Sequence, residues 1–173
     1  MNELYHIFAY LKSHRHSMMV FDEARVDINE SQFPIHDWQD FYYDAKEMIP
    51  PNALEPRGNQ VQMNCFVDSY HAKNHVTCHS HTGILIFLNH APNTVETSTF
   101  GSEFVAMRIA VELIESLRYK LRMFGIPLEG AANVLCDNQS VVTSSAVPES
   151  ILKKKHNSIA YHQVREAVAA RTI

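Results

Sequence analysis

The chain is short of the features that would assign it to a class at once. Net charge is only -4 over 173 residues, so there is no global basic field of the kind nucleic-acid binders often carry. Such a partner would have to meet a local basic patch. Cysteine is sparse and odd in number. Cys65, Cys78 and Cys136 stand far apart, which argues against a disulfide framework. The N-terminus is polar and punctuated by His and Lys, unlike a secretory signal. The longest apolar run, Ile84 to Leu88, is far too short to span a bilayer. There are no repeats and no low-complexity tract. The expectation is a soluble intracellular protein with no membrane partner.

What is present can build a core. Apolar residues make up 46% of the chain, which suits one globular domain, or one domain with an extension. Asn2 to Arg15 carries Leu4, Ile7, Phe8 and Leu11 at helical spacing. Met18 to Phe21 reads as a short strand. Asp37 to Ile49 reads as a second helix, with Trp38, Phe41, Tyr42, Ala45 and Ile49 on one face. The Pro-rich run from Pro50 to Asn59 must break regular structure. Residues 1–60 are therefore expected to form a helical lead-in segment, and residues 61–173 the domain proper.

Past that break the pattern changes. Val61 to Val67 and Ile84 to Leu88 read as strands. Phe100 to Phe124 reads as a long helix with a stripe of Met107, Ala110, Ile114, Leu117, Leu121 and Phe124. Gly125-Ile126-Pro127 ends it. A strand from Val134 to Asp137 follows, then a short helix around Ser140 to Ser145. The basic run Lys153-Lys154-Lys155 leads to a last helix, Ser158 to Ala170. The order suggests an α/β fold, a mixed sheet with flanking helices.

Three acids suggest chemistry. Asp68 and Asp137 each follow an apolar strand, and chemistry in open α/β sheets collects at strand ends. Glu103 extends the long helix's apolar stripe into its first turn. Alone, Asp137 reads as a helix cap, and Glu103 as a rim acid favouring a helix N-terminus. Together, the three would repel one another unless a cation sat among them. Oxygen-only ligands favour a hard ion, Mg2+ or Mn2+, and two such ions form the clamp used for displacement at phosphorus.

The motifs that carry a resemblance are Phe66-Val67-Asp68, Thr82-Gly83-Ile84, Ser98 to Ala106, Cys136-Asp137-Asn138-Gln139-Ser140, Lys155-His156 and Tyr161 to Glu166. In that order they resemble the ribonuclease H domain of copia-type retrotransposon pol polyproteins, over about residues 61 to 170. Phe8-Ala9-Tyr10-Leu11-Lys12 looks like the segment joining that domain to the preceding reverse transcriptase. The resemblance implies a ribonuclease H-like fold and two-metal hydrolysis of RNA in an RNA–DNA hybrid. It implies Asp68, Glu103 and Asp137 as catalytic residues and metal ligands, with Mg2+ or Mn2+ as the ions. Lys73, Asn138 and Lys155 become candidate nucleic-acid contacts. The reverse transcriptase domain of the same polyprotein becomes a partner, and a cytoplasmic particle or the nucleus the place of action.

The chain departs from the family pattern in three places. A strand carrying Trp, which the family has before the long helix, is missing at Asn89 to Ser98, so one edge strand of the sheet is expected to be lost. The fourth acid is replaced by Ser158; Glu166 and His162 are the substitutes on offer. The Arg-rich stretch after the first Asp reads His71, Lys73, His75, Cys78, His79, His81. His and Cys replacing Arg would weaken phosphate contacts, and single-base transitions of Arg codons produce that pattern. An Arg-rich consensus among sibling copies is the observation expected of decay. These departures support an alternative, a folded transposon relic that does not cleave. A third reading takes residues 71–81 as a His/Cys metal-binding module.

Overall fold

The computed structural model describes residues 33–70, 81–89, 100–152 and 157–173, together with Tyr5, Phe8, Ala9, Lys12, Ser13 and Ile28. The fold is built round one helix. In the stretch from Phe100 to Met123, apolar residues recur at two helical registers, so the helix has two faces to bury. On one, Ala106, Ala110 and Ile114 meet Met63, Cys65 and Val67, the alternate residues of a strand. On the other, Phe104, Met107 and Val111 meet Val141, Tyr161, Val164 and Ala167 from two later helices.

The elements in order are α1 (Gln39–Tyr42), β1 (Met63–Tyr70), β2 (His81–Leu88), α2 (Phe100–Met123), β3 (Asn133–Cys136), α3 (Gln139–Ala146) and α4 (Ser158–Ala169). The sheet order is β2-β1-β3. β1 pairs with β2 antiparallel and with β3 in parallel. The chain is therefore mixed α/β, with helices packed on a three-stranded mixed sheet among the described residues. The expected loss of an edge strand falls on residues 89–98, all but Asn89 of which lie outside the described residues. So do the strand expected at Met18 to Phe21 and the greater part of residues 71–81. Among the described residues no helix is long and apolar enough to cross a membrane.

The strand expected from Ile84 begins earlier, at His81, and two other elements change more. The helix expected over Asp37 to Ile49 is one turn, Gln39–Tyr42. Its apolar face is not a buried stripe: Trp38 is buried, but Phe41 and Ile49 are exposed. Long-range bonds draw the segment out instead. The Tyr42 hydroxyl lies 2.7 Å from His162 Nδ1, and Glu47 reaches α2. The first strand also runs further than expected, through Tyr70, so that Asp68 lies within it, opposite Gly83 of β2.

The stretch before β1 is stitched to the rest of the fold. The Glu47 carboxylate accepts from Arg118 Nε at 2.6 Å and from Arg122 Nη2 at 2.5 Å. Arg118 is only 3% exposed, so its charge depends on this partner. The Arg57 amide donates to the Gly125 carbonyl at 2.8 Å. Gly125 adopts φ +69, and a Cβ there would stand 3.0 Å from the Glu55 carbonyl oxygen, so glycine both ends α2 and admits the strap. Glu47→Ala should cost about 3 kcal/mol, the low end for breaking a buried pair, because Arg122 keeps 27% of its exposure. Burial alone would raise the Glu47 carboxyl, but the two guanidiniums overcome that and hold it below its ordinary 4.5. A depressed carboxyl stabilises the fold above its unfolded value and loses that contribution as pH falls through the folded one. Acid unfolding below about pH 4.5 should accordingly shift to lower pH-sensitivity in Glu47→Ala, as read by denaturant melts across that window.

Candidate metal centre

The site follows from the β1–β3 register. Val67 pairs with Cys136 at the end of the parallel ladder. Asp68 is the next residue of β1, and Asp137 is the first residue past the end of β3. The centre of the pleated sheet thus presents two carboxylates where the ladder stops. The first turn of α2 supplies Glu103, which is 0% exposed. Ser69 Oγ donates to Ser102 Oγ at 2.8 Å, fixing the start of α2 to β1 beside both acids.

Neither simple reading of the acids survives. Asp137 does not cap α3. That role falls to Asn138, whose Oδ1 accepts from the amides of Ser140 at 3.1 Å and Val141 at 3.3 Å. Glu103 does not sit at the rim. Both oxygens of Asp137 and Oδ1 of Asp68 are shut off from solvent and have no hydrogen-bond partner among the described residues. Buried carboxylate oxygens without partners are costly, so the arrangement is one that a cation would relieve.

Among the described residues, one set of three or more candidate ligands comes together: Glu103, Cys136 and Asp137, with ligand atoms all within 4.8 Å of one another. Asp68 is outside that set. Strand alternation explains why: Cys65 and Val67 face α2, so Asp68 faces the other side of β1. Cys136 faces α2, and its thiol donates to Glu103 Oε2 at 3.1 Å. Asp137 falls after the strand's last residue and is free of the alternation that would aim it away. Cys136 is not among the ligands expected from the sequence. Its place directly before Asp137, on the face of β3 turned toward the long helix, is the signal that could have found it. Burial, then the bond to Glu103, push its thiol up to about 12.

The remaining candidates stand apart. Neither His162 nor Glu166 joins the Glu103–Cys136–Asp137 set. Both are exposed, and His162 is engaged with Tyr42. Glu166 borders other acids: burial, then Glu166 and Glu112, raise the Glu115 carboxyl. Ser158 is the first residue of α4. Asn138 has its capping role. Lys73, Lys155 and the His/Cys positions from His71 to His79 lie outside the described residues. Comparison with family models, with curated proteins and with solved structures finds no match to this chain.

Proposed function

We propose that the chain is a ribonuclease H-like nuclease domain of the copia retrotransposon type, which hydrolyses the RNA strand of an RNA–DNA hybrid. The observation that carries this reading is the pair Asp68 and Asp137, one residue past the parallel ladder. Between them they hold three buried carboxylate oxygens without partners among the described residues, and the buried Glu103 lies against Asp137. The antiparallel β1–β2 pair, the long helix and the parallel return to β3 suit the same fold class. A hard divalent ion fits this oxygen set. Asp137 and Glu103 would hold Mg2+ or Mn2+, which when bound activates a water and stabilises the leaving 3′-oxygen; Asp68 would complete the set by turning toward them from the opposite face of β1.

The chain's own residues do the positioning. The parallel ladder sets the two Asp backbones side by side. The Ser69–Ser102 bond fixes the helix start that delivers Glu103. The hybrid would be recognised through its shape and 2′-hydroxyls, not through base edges. A reverse transcriptase domain of the same polyprotein is the partner that would supply it, in a cytoplasmic particle or the nucleus. One observation favours the relic as a second reading: Asp68 stands outside the set that joins Glu103 to Asp137.

Incubation of the full chain with Mg2+ and a labelled hybrid tests the choice. RNA cleavage confined to the hybrid, absent from single-stranded RNA and from duplex DNA, is the expected result. Hybrid binding without cleavage at any Mg2+ or Mn2+ concentration would establish the relic. Cleavage at full rate in Asp137→Asn would remove the carboxylates from the mechanism.

A further inference from the structure

A thiol is out of place among ligands meant only for a hard ion. Mg2+ gains little from sulfur, whereas Zn2+ and Cd2+ favour it. Here the Cys136 sulfur is 3.1 Å from Glu103 Oε2. The ligand atoms of Glu103, Cys136 and Asp137 already lie within 4.8 Å of one another. Asp137 adds the independent sign of a ligand: both of its oxygens are buried and without partners among the described residues. Three protein ligands with a fourth position left for solvent is the donor count of an open zinc site, with Zn–S about 2.3 Å and Zn–O about 2.0–2.2 Å.

We propose that Cys136, Glu103 and Asp137 form a mixed sulfur–oxygen site for a soft divalent cation, Zn2+ or Cd2+, and that such an ion excludes hard ions from the same acids. The binding stands on the geometry. Its consequence, inhibition of cleavage by soft ions, rests on the nuclease reading. Coordination replaces the S–H proton with the ion. That proton leaves to solvent, and the thiol's bond to Glu103 gives way to a shared metal. Glu103 and Asp137 then bind through oxygen, so the pocket holds one soft ion where it would otherwise hold hard ones.

Cadmium titration of the full chain tests the site, because thiolate-to-cadmium charge transfer absorbs in the ultraviolet and reports sulfur ligation directly. The chain should carry Cys78→Ser, since Cys78 sits in the His/Cys-rich stretch and would add its own signal. Cys65 is fully buried in the core and does not compete. The expected result is a saturable band at one Cd2+ per chain. It should disappear when Cys136→Ser is added and weaken at least tenfold in affinity with Glu103→Gln. Circular dichroism confirms that each variant is folded. A band that persists without Cys136, or no band in folded Cys78→Ser protein, overturns the site. If the band forms and Mg2+-dependent cleavage is never seen, the soft-ion site stands and the nuclease reading falls.

Discussion

Asp137→Asn should abolish Mg2+-dependent cleavage while making the metal-free protein more stable. The first effect should be at least about 100-fold, since even a residue behind a metal ligand costs 10–100-fold when lost. The second follows from burial. Both Asp137 oxygens are buried and lack partners among the described residues, so the metal-free fold leaves two polar acceptors unsatisfied. A neutral amide lowers that cost, and unfolding free energy should rise by about 1–2 kcal/mol. Mg2+ should then stabilise the parent chain in a concentration-dependent way and leave the variant unmoved. Thermal melts with and without Mg2+, alongside the cleavage rate, separate these effects. A variant less stable than the parent in the absence of metal would show that Asp137 is satisfied by some other group.

Arg165→Ala should be the most destabilising single change in the last helix, by about 3–5 kcal/mol. Arg165 is 2% exposed. Its guanidinium donates to the carbonyls of Ser144 and Val147 at 2.8 Å and of Pro148 at 2.5 Å. These are carbonyls at and beyond the end of α3, where a helix leaves its acceptors without partners. The Tyr161 and Trp38 rings flank the charge at 4.7 and 4.9 Å, a cation–π arrangement that also brings the segment before α1 against α4. Truncation would strand three carbonyls and open space between two rings. Arg165→Lys should restore only part of the loss, because an ammonium cannot fork across three acceptors. Urea denaturation measures both variants. A loss below about 1 kcal/mol for Arg165→Ala would mean that water satisfies the carbonyls equally well.

The long helix was legible because its apolar residues repeat over 24 residues, and no competing period fits. The strand before Asp137 was legible for the same reason, short and apolar up to an acid. The one-turn α1 was not. Its residues show helical spacing, but Trp38, Tyr42 and Glu47 answer to Arg165, His162, Arg118 and Arg122, partners distant in the chain that a local window cannot see. Cys136 was missed because strand alternation separates neighbouring residues in general. Only the end of β3 at Cys136 lets Asp137 turn back to the same side. The position of Asp68 outside that set likewise depends on β1 running on through Tyr70, a length that apolar pattern alone does not specify.

The helix α2 belongs to both core clusters at once, and it carries Glu103 at one end and the Glu47 clamp at the other. Its rise of about 1.5 Å per residue places those ends about 22 Å apart on one stiff rod. Neither the sheet layer nor the helical layer can therefore melt and leave the other with a complete core. The geometry of the acids is as durable as the global fold, and it fails only when the fold fails. Amide exchange through α2 should run at the rate of whole-molecule unfolding, with no earlier sub-global step that frees Glu103 from its partners.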